Sequence, residues 1–134
     1  MSQTRMDELL VAVQDFLRRE VLPQLDGFAA YNTRVAANSL AIATRELQLR
    51  PELDRLDLAY ALHSGLDPAA GPIPQQLALG LRRRAMAPDA HLLRYLRQRA
   101  LLSLEIDNPK YSGYLQARER WQARQGQPAG PDRD

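Results

Sequence analysis

Apolar and polar residues between Phe28 and Leu49 alternate with a helical period. The stretch contains neither Gly nor Pro and is bordered by Gly27 and Pro51, which predicts a helix of about six turns. At about 100° per residue, its apolar side chains form two lobes that face different directions. The first lobe consists of Phe28, Tyr31, Val35, Ile42 and Leu49, and the second of Ala36, Leu40, Ala43 and Leu47.

Polar residues interrupt this apolar surface in two lines. One line lies between the lobes at heptad spacing (Asn32, Ser39 and Glu46), and the other borders the first lobe (Arg34, Asn38 and Arg45). A polar group inside an apolar arc needs a hydrogen-bond partner, since leaving it unpaired costs about 1–3 kcal/mol. Two interpretations stay open: a buried network that fixes the register of the helices, or the polar lining of a pocket.

The first helix is expected from about Thr4 to Leu22. Its apolar stripe has helical spacing and consists of Leu9, Leu10, Val13, Phe16, Leu17 and Val21. Pro23 ends it, and Asp26-Gly27 forms the turn into the central helix. Two long helices joined by so short a turn are expected to pack antiparallel.

The rest of the chain predicts three further helices. These are a third from Pro51 to about Ser64, a fourth over Gln75–Met86, and a fifth from about Pro88 to Ile106. Gly65–Pro74 reads as a loop, and Asp107-Asn108-Pro109 stops the fifth helix. A sixth, short helix over Leu115–Gln125 is left open.

Composition agrees with these helices. Val and Ile together number only seven, whereas Leu, Ala, Arg and Gln are abundant. The sequence therefore predicts an all-α fold, a compact bundle of five helices with the short sixth helix as an option. We expect a single helical domain over residues 1–125 and a disordered tail over 126–134.

Cysteine usage and the amino terminus bear on the compartment. The chain has no cysteine, which excludes a disulfide and a thiolate metal site and fits a reducing cytoplasm. Asp7 and Glu8 fall where a signal peptide needs an apolar run, and no segment approaches the ~18 apolar residues of a membrane span. We therefore expect a cytoplasmic protein that does not associate with membranes.

Basic residues cluster in the second half of the chain. The formal net charge is only +2, but six arginines fall between Arg82 and Arg99 against the single acid Asp89. Arginine pairs bidentately with carboxylates and phosphates. The candidate face for an anion or a partner protein consists of Arg82, Arg83, Arg84, Arg94 and Arg97. No nucleic-acid-binding module is recognisable, so we expect no nucleic-acid partner.

Catalytic and metal-binding patterns are weak. His63 and His91 lie on different predicted helices, and neither has a second ligand at metal-binding spacing. Ser112 beside Gly113 lacks the strand–turn–helix context of a nucleophile, and no phosphate-binding glycine motif is present. We predict no catalytic, cofactor-binding or metal-binding residues and regard a non-enzymatic protein as the better reading. An enzyme that uses Glu46 or Asp107 as base stays open.

The segment that follows the fifth helix is a natural partner for the polar residues of the central helix. Its backbone groups, released at Pro109, need donors and acceptors that Arg34 or Asn38 could supply. The candidate structural or binding cluster consists of Asn32, Arg34, Asn38, Glu46, Asp107, Asn108, Tyr111 and Tyr114.

Three stretches carry a family resemblance. VAANSLAIATREL, preceded by Tyr31 and Arg34, and LEIDNPKYSGY at Leu104–Tyr114 resemble signatures of the bacterial domain of unknown function 6285 family. ELLVAVQDFLRREVLPQLDG in the first helix adds to the resemblance, which spans about residues 7 to 115.

The resemblance implies a small helical protein whose relatives are often encoded near acyl-CoA dehydrogenases and aminoglycoside-phosphotransferase-like proteins. From it we expect a non-catalytic accessory or interaction protein of acyl-CoA metabolism, with such a protein as partner and no cofactor. The alternative is a helical bundle that binds a small molecule or an anion in a pocket near Arg34, Asn38 and Tyr111. A homo-oligomer is left open.

Overall fold

The computed structural model describes residues 3–125, and within them the side chains of residues 5–122. This part of the chain contains no strand and five α-helices: Gln3–Phe16 (α1), Gly27–Ser64 (α2), Ile73–Arg82 (α3), Ala90–Asp107 (α4) and Ser112–Gln125 (α5). The prediction of an all-α fold with five helices is confirmed. The bounds of several helices differ from the prediction, most of all at Pro51, where no break occurs.

The first helical segment ends close to the predicted Leu22 but changes its hydrogen-bonding pattern before that residue. α1 ends at Phe16, and a π-helical turn over Leu17–Val21 follows, in which the Leu22 N–H bonds to the Leu17 carbonyl. Pro23 then lies in a 3₁₀ turn over Leu22–Gln24. Proline has no N–H to continue an α-helical ladder, and the segment ends in the tighter 3₁₀ turn that contains it. Gly27, with φ of 58°, makes the predicted turn.

The prediction of a break at Pro51 is wrong, because α2 continues through it. Pro51 removes one helical N–H bond, and contacts of neighbouring residues lie on both sides of it. The Arg50 guanidinium pairs with Glu46 one turn earlier and lies 3.9 Å from Asp54 one turn later. Leu53 is buried just beyond the proline. The two helices predicted on either side of Pro51 are therefore one helix.

α2 ends at Ser64, as predicted, where Gly65 takes a φ of 73°. α3 begins two residues before the predicted start and ends four residues earlier, at Arg82. Its end is a Schellman motif, in which the Ala85 N–H bonds to the Gly80 carbonyl at 2.9 Å and the Arg84 N–H to the Leu81 carbonyl at 3.2 Å. This motif explains why Arg84 has a φ of 54°.

α4 begins and ends at the expected signals. The Asp89 carboxylate accepts a hydrogen bond of 2.7 Å from the Leu92 N–H and so caps α4. α4 ends at Asp107, where Asn108-Pro109 was expected to stop it. The helix that the sequence left open is present and begins at Ser112, three residues earlier than expected.

The chain divides into two compact units, the first ending at Asp54 and the second beginning at Arg55. In the first unit, α1 and α2 run antiparallel, as predicted. The Gln14 side chain donates to Thr44 Oγ1 at 2.8 Å, and the Arg18 guanidinium donates to Asn38 Oδ1 at 3.0 Å. The buried residues of this part of α2 include three small ones spaced by seven, namely Ala30, Ala37 and Thr44.

The second unit has its own hydrophobic core. Its buried members come from α2, α3 and α4 and are Tyr60, Ala61, Ile73, Leu77, Leu92 and Tyr95. Leu56, Leu66, Leu81 and Met86 pack against them and are partly buried. This core fixes the end of α2 against α3 and α4.

Among the described helices, none is long and apolar enough to cross a membrane. The assignment of residues 1–125 to one domain stays a prediction. The tail predicted over 126–134 lies outside the described residues.

Candidate functional site

A partly buried polar cluster in the second unit joins α2 to α4. The Tyr95 hydroxyl donates to Asp57 Oδ1 at 2.5 Å. Arg99, one turn further along α4, donates to the same carboxylate with Nε at 3.0 Å from Oδ1 and Nη2 at 3.3 Å from Oδ2. This bidentate geometry is the strong form of an arginine–carboxylate pair. Asp57 therefore accepts three hydrogen bonds from two side chains of one helix.

Aromatic rings extend the cluster along both helices. The Tyr60 ring stacks on Tyr95, with centroids 4.3 Å apart, and on His91, with centroids 5.3 Å apart. The His63 ring follows at 3.7 Å from the His91 centroid. His91 Nε2 is buried and makes no hydrogen bond within the described part of the chain. The stack passes from the core at Tyr95 to the surface at His63, which is exposed.

The surroundings of the cluster raise the pKa values of two of its members, Tyr95 and Arg99. Burial raises the pKa of Tyr95, and the hydrogen bond and negative charge of Asp57 raise it further. For Arg99, burial lowers the pKa, but its hydrogen bond and charge interaction with Asp57 outweigh burial and raise it overall. Tyr95 is thus held as a neutral donor and Arg99 as a cation. Both protonation states favour the observed hydrogen bonds.

The chemistry of this cluster is that of a structural clamp. A general base needs an acceptor that can reach a substrate proton, whereas both oxygens of Asp57 accept bonds from Tyr95 and Arg99. Tyr95 is only 3% exposed. Across the described residues, no three His, Asp or Glu side chains are grouped so as to hold a metal ion.

The sequence interpretation did not single out this cluster, although a local signal exists. His91, Tyr95 and Arg99 are spaced by four residues and share one face of α4. Asp57 and Tyr60 are spaced by three residues on α2. Two helices that each carry a buried polar–aromatic line are good candidates to pair through it. Their actual pairing depends on the tertiary fold.

Four residues of the predicted polar cluster lie in the first unit. Asn32, Arg34 and Asn38 are exposed, and Glu46 is half-buried. Asn38 accepts from Arg18, and Glu46 pairs with Arg50. The hydrogen bonds of Asn38 and Glu46 are therefore made within the first unit.

The other four residues lie in the second unit, at the junction of α4 and α5. Asp107, Asn108 and Tyr111 are exposed, and Tyr114 is buried. The Tyr111 N–H bonds to the Asn108 carbonyl at 3.1 Å. The Tyr111 ring covers Gly113 so closely that a Cβ there would lie 2.6 Å from it. The association of these residues with Asn32, Arg34, Asn38 and Glu46 stays a prediction.

The predicted arginine face belongs to two parts of the second unit. Arg82, Arg83 and Arg84 are exposed at the end of α3. Arg94 is exposed on α4, and Arg97 is half-buried with its guanidinium 5.6 Å from the centre of the Trp121 ring. Exposed Leu93 and Leu96 accompany these α4 arginines. The α4 residues therefore form a mixed apolar and basic surface.

An open depression of about 550 Å³ lies at the loop after α3. Its walls are mainly apolar, and Arg84 supplies the charge. The lining residues are Leu81, Arg84, Ala85, Met86, Ala87 and Pro88. A concave apolar surface with one cation is suited to a small molecule that carries both an apolar part and an anion.

Comparison with known proteins bears on the resemblance noted in the sequence. The family model described as Domain of unknown function (DUF6285) matches residues 23–111, from the 3₁₀ turn before α2 to the turn after α4. The match covers about two thirds of the 134 residues. No curated protein and no solved structure matches the chain. The expected resemblance is confirmed, and the chain belongs to the family described as Domain of unknown function (DUF6285).

Proposed function

We propose that the protein is a non-catalytic accessory protein that binds a partner enzyme through the outward surface of α4. The carrying observation is that Leu93 and Leu96 are exposed on the same surface as Arg94 and Arg97. We call these four residues the α4 partner surface. Exposed leucines beside arginines, in place of acidic or lysine residues, match the composition of protein interfaces.

The core of the second unit does not use this surface. Leu92, Tyr95 and Ile106 are the buried residues of α4, whereas Leu93 and Leu96 keep 48% and 43% of their surface exposed. The two leucines can therefore be covered by another protein with no change in the core. Covering them would remove apolar area from water, which favours association.

Arg97 is suited to a charged contact because Trp121 positions its guanidinium. A side chain that is already held loses less rotamer entropy when a partner binds. Arg94 lies beside it, and Arg82 and Arg83 add positive charge elsewhere in the same unit. These charges favour a partner with acidic groups at its interface and should speed its approach at low salt.

The clamp between Asp57, Tyr95 and Arg99 supports a structural rather than catalytic reading of the second unit. Its polar groups bond to one another and hold α4 against α2. A rigid helix is a better platform for a partner than a mobile loop. We propose an acyl-CoA dehydrogenase or an aminoglycoside-phosphotransferase-like protein as the partner, on the family context alone.

The test measures binding of each purified candidate enzyme to the immobilised chain at low and moderate salt. We expect one enzyme to bind and the double variant Arg94→Glu with Arg97→Glu to lose binding. The control, Arg19→Glu with Arg55→Glu, makes the same charge change at exposed sites off the α4 partner surface and should bind normally. Binding of neither enzyme at any salt concentration would contradict the proposed partners.

A second candidate function is binding of a small molecule or anion, and the depression beside Arg84 favours it. The pocket expected from Arg34, Asn38 and Tyr111 is part of the same alternative. Thermal unfolding with acyl-CoA and nucleotide panels tests it, because a ligand of the folded state raises the unfolding temperature. A rise that Arg84→Ala removes and Arg83→Ala keeps would support the depression as the site. No rise at millimolar ligand would contradict the alternative.

A further inference from the structure

We propose that a second copy of this chain pairs antiparallel with α2 through an exposed apolar strip of Phe28, Tyr31, Val35 and Ile42. We call these residues the α2 apolar face. It belongs to the first unit, whereas the α4 partner surface belongs to the second.

The α2 apolar face is exposed although its residues are among the largest apolar ones of the helix. Phe28 is 78% exposed, Tyr31 60%, Val35 45% and Ile42 39%. Spacings of three, four and seven residues place them on one strip of the helix, as in a coiled-coil seam. An exposed seam of this kind is typical of a surface that another helix covers.

α1 cannot cover this strip in the first unit. α1 packs on the side of α2 that buries Ala30, Ala37 and Thr44, as the bond from Gln14 to Thr44 shows. At about 100° per residue, the α2 apolar face points roughly opposite to that side. α2 therefore has an occupied apolar side and a second apolar side that faces solvent.

The area of the face suits a dimer. Taking about 150–250 Å² for an aromatic residue and somewhat less for Val and Ile, the four exposed fractions amount to roughly 450 Å² of mainly apolar surface. A stable interface buries about 800 Å² per partner, of which about 56–58% is apolar. The α2 apolar face supplies the apolar share, and the polar residues that flank it can supply the rest.

The order of residues along the face makes it complementary to itself. In an antiparallel pair centred on Val35, Phe28 meets Ile42 of the second copy, so a large ring opposes a smaller side chain. Val35 meets its own equivalent at the two-fold axis. This is the isologous arrangement of most homodimers. A parallel pair would instead oppose Phe28 to Phe28 and Ile42 to Ile42.

Polar residues border the α2 apolar face in this pairing. In the antiparallel pair centred on Val35, Tyr31 meets Ser39 of the second copy and Asn38 meets Asn32. These polar side chains can supply hydrogen bonds at the rim of the interface.

The first experiment measures the mass of the full chain by sedimentation velocity over a concentration series. We expect a dimer for the unchanged chain and a monomer for Val35→Arg, because two arginines would meet at the axis. Val11→Arg makes the same change at an exposed apolar residue of α1 and should stay dimeric. Circular dichroism checks that both variants fold. A monomer up to the solubility limit, or a dimer for Val35→Arg, overturns the proposal.

The second experiment tests the register and needs no charge change. The chain has no cysteine, so introduced cysteines are the only thiols. We mix Phe28→Cys protein with Ile42→Cys protein under mild oxidation and compare the mixture with each variant alone. The antiparallel pair predicts faster formation of the mixed disulfide dimer than of either homodimer. Equal rates, or faster Phe28→Cys homodimers, overturn the antiparallel pairing.

Discussion

The hydroxyl oxygen of Tyr95 lies 2.5 Å from Oδ1 of Asp57, and this contact joins α4 to α2 across 38 positions of sequence. Tyr95 is buried, and Asp57 also accepts from Arg99. Hydrogen bonds to a charged acceptor contribute about 1.5–3 kcal/mol, more than bonds between neutral groups. The contact should therefore be a major element of stability in the second unit.

We predict that Tyr95→Phe lowers the free energy of unfolding by about 2 kcal/mol, because the carboxylate loses one of its three donors. Urea unfolding followed by circular dichroism measures the change. Tyr111→Phe is the matched control, since the Tyr111 side chain is half exposed and should change stability by less than about 0.5 kcal/mol. Equal effects of the two substitutions would show that the bond to Asp57 contributes little.

The same contact predicts a dependence of stability on alkaline pH. The folded-state pKa of Tyr95 is raised above its unfolded value by burial and by Asp57. The resulting stability is fully present below the ordinary tyrosine pKa of about 10 and is lost as pH rises beyond it. Urea midpoints should therefore fall above about pH 10, and less steeply for Tyr95→Phe than for the unchanged chain. Parallel curves for the two proteins would contradict this role of Tyr95.

In the first unit, the Thr44 hydroxyl makes two hydrogen bonds, and a comparison with Thr33, which makes only one of the two kinds, isolates the contribution of the other. Its hydroxyl donates to the Leu40 carbonyl and accepts from Gln14, whereas the Thr33 hydroxyl donates to the Ala29 carbonyl. We predict that Thr44→Val destabilises the chain by about 1 kcal/mol, because Gln14 loses its acceptor. Thr33→Val should have a smaller effect in the same urea assay.

The left-handed backbone of Arg84 predicts that glycine at this position stabilises the protein. It occupies the left-handed position of the Schellman motif after α3, where a side chain is strained and glycine is usual. Arg84→Gly should raise the free energy of unfolding by about 0.5–1 kcal/mol. Arg83→Gly is the control, because φ of Arg83 is −83° and glycine there only adds unfolded-state freedom. A loss of stability with Arg84→Gly would contradict the prediction.

The sequence predicted the ends of helices correctly at positions where one residue restricts the backbone. Gly27, Gly65 and Asp107-Asn108-Pro109 are such signals, and the helices begin or end at them. Pro51 misled the prediction: α2 continues through it, with Arg50 paired to Glu46 on one side and Leu53 buried on the other. Whether a helix continues through a proline depends on the contacts of the neighbouring residues in the fold, and the spacing of apolar residues in the sequence does not reveal those contacts.

The site was harder to predict than the fold. Helical spacing correctly placed Phe28, Tyr31 and Val35 on one face, but spacing does not say whether a face is buried or exposed, and this face is exposed. The bond of Tyr95 to Asp57 depends on how α4 packs on α2, and no local pattern specifies it. Family membership added no chemistry, since it assigns no residue a role.

Pro51 also divides α2 into two segments whose amide hydrogen exchange can be compared. A proline has no exchangeable backbone proton, so the profile of protected amides along Gly27–Ser64 is silent at that residue. Exchange rates before it report opening near Ala37, and those after it report opening near Tyr60. Equal exchange rates in the two segments would mean that α2 opens as a whole, and different rates would mean that it opens in parts.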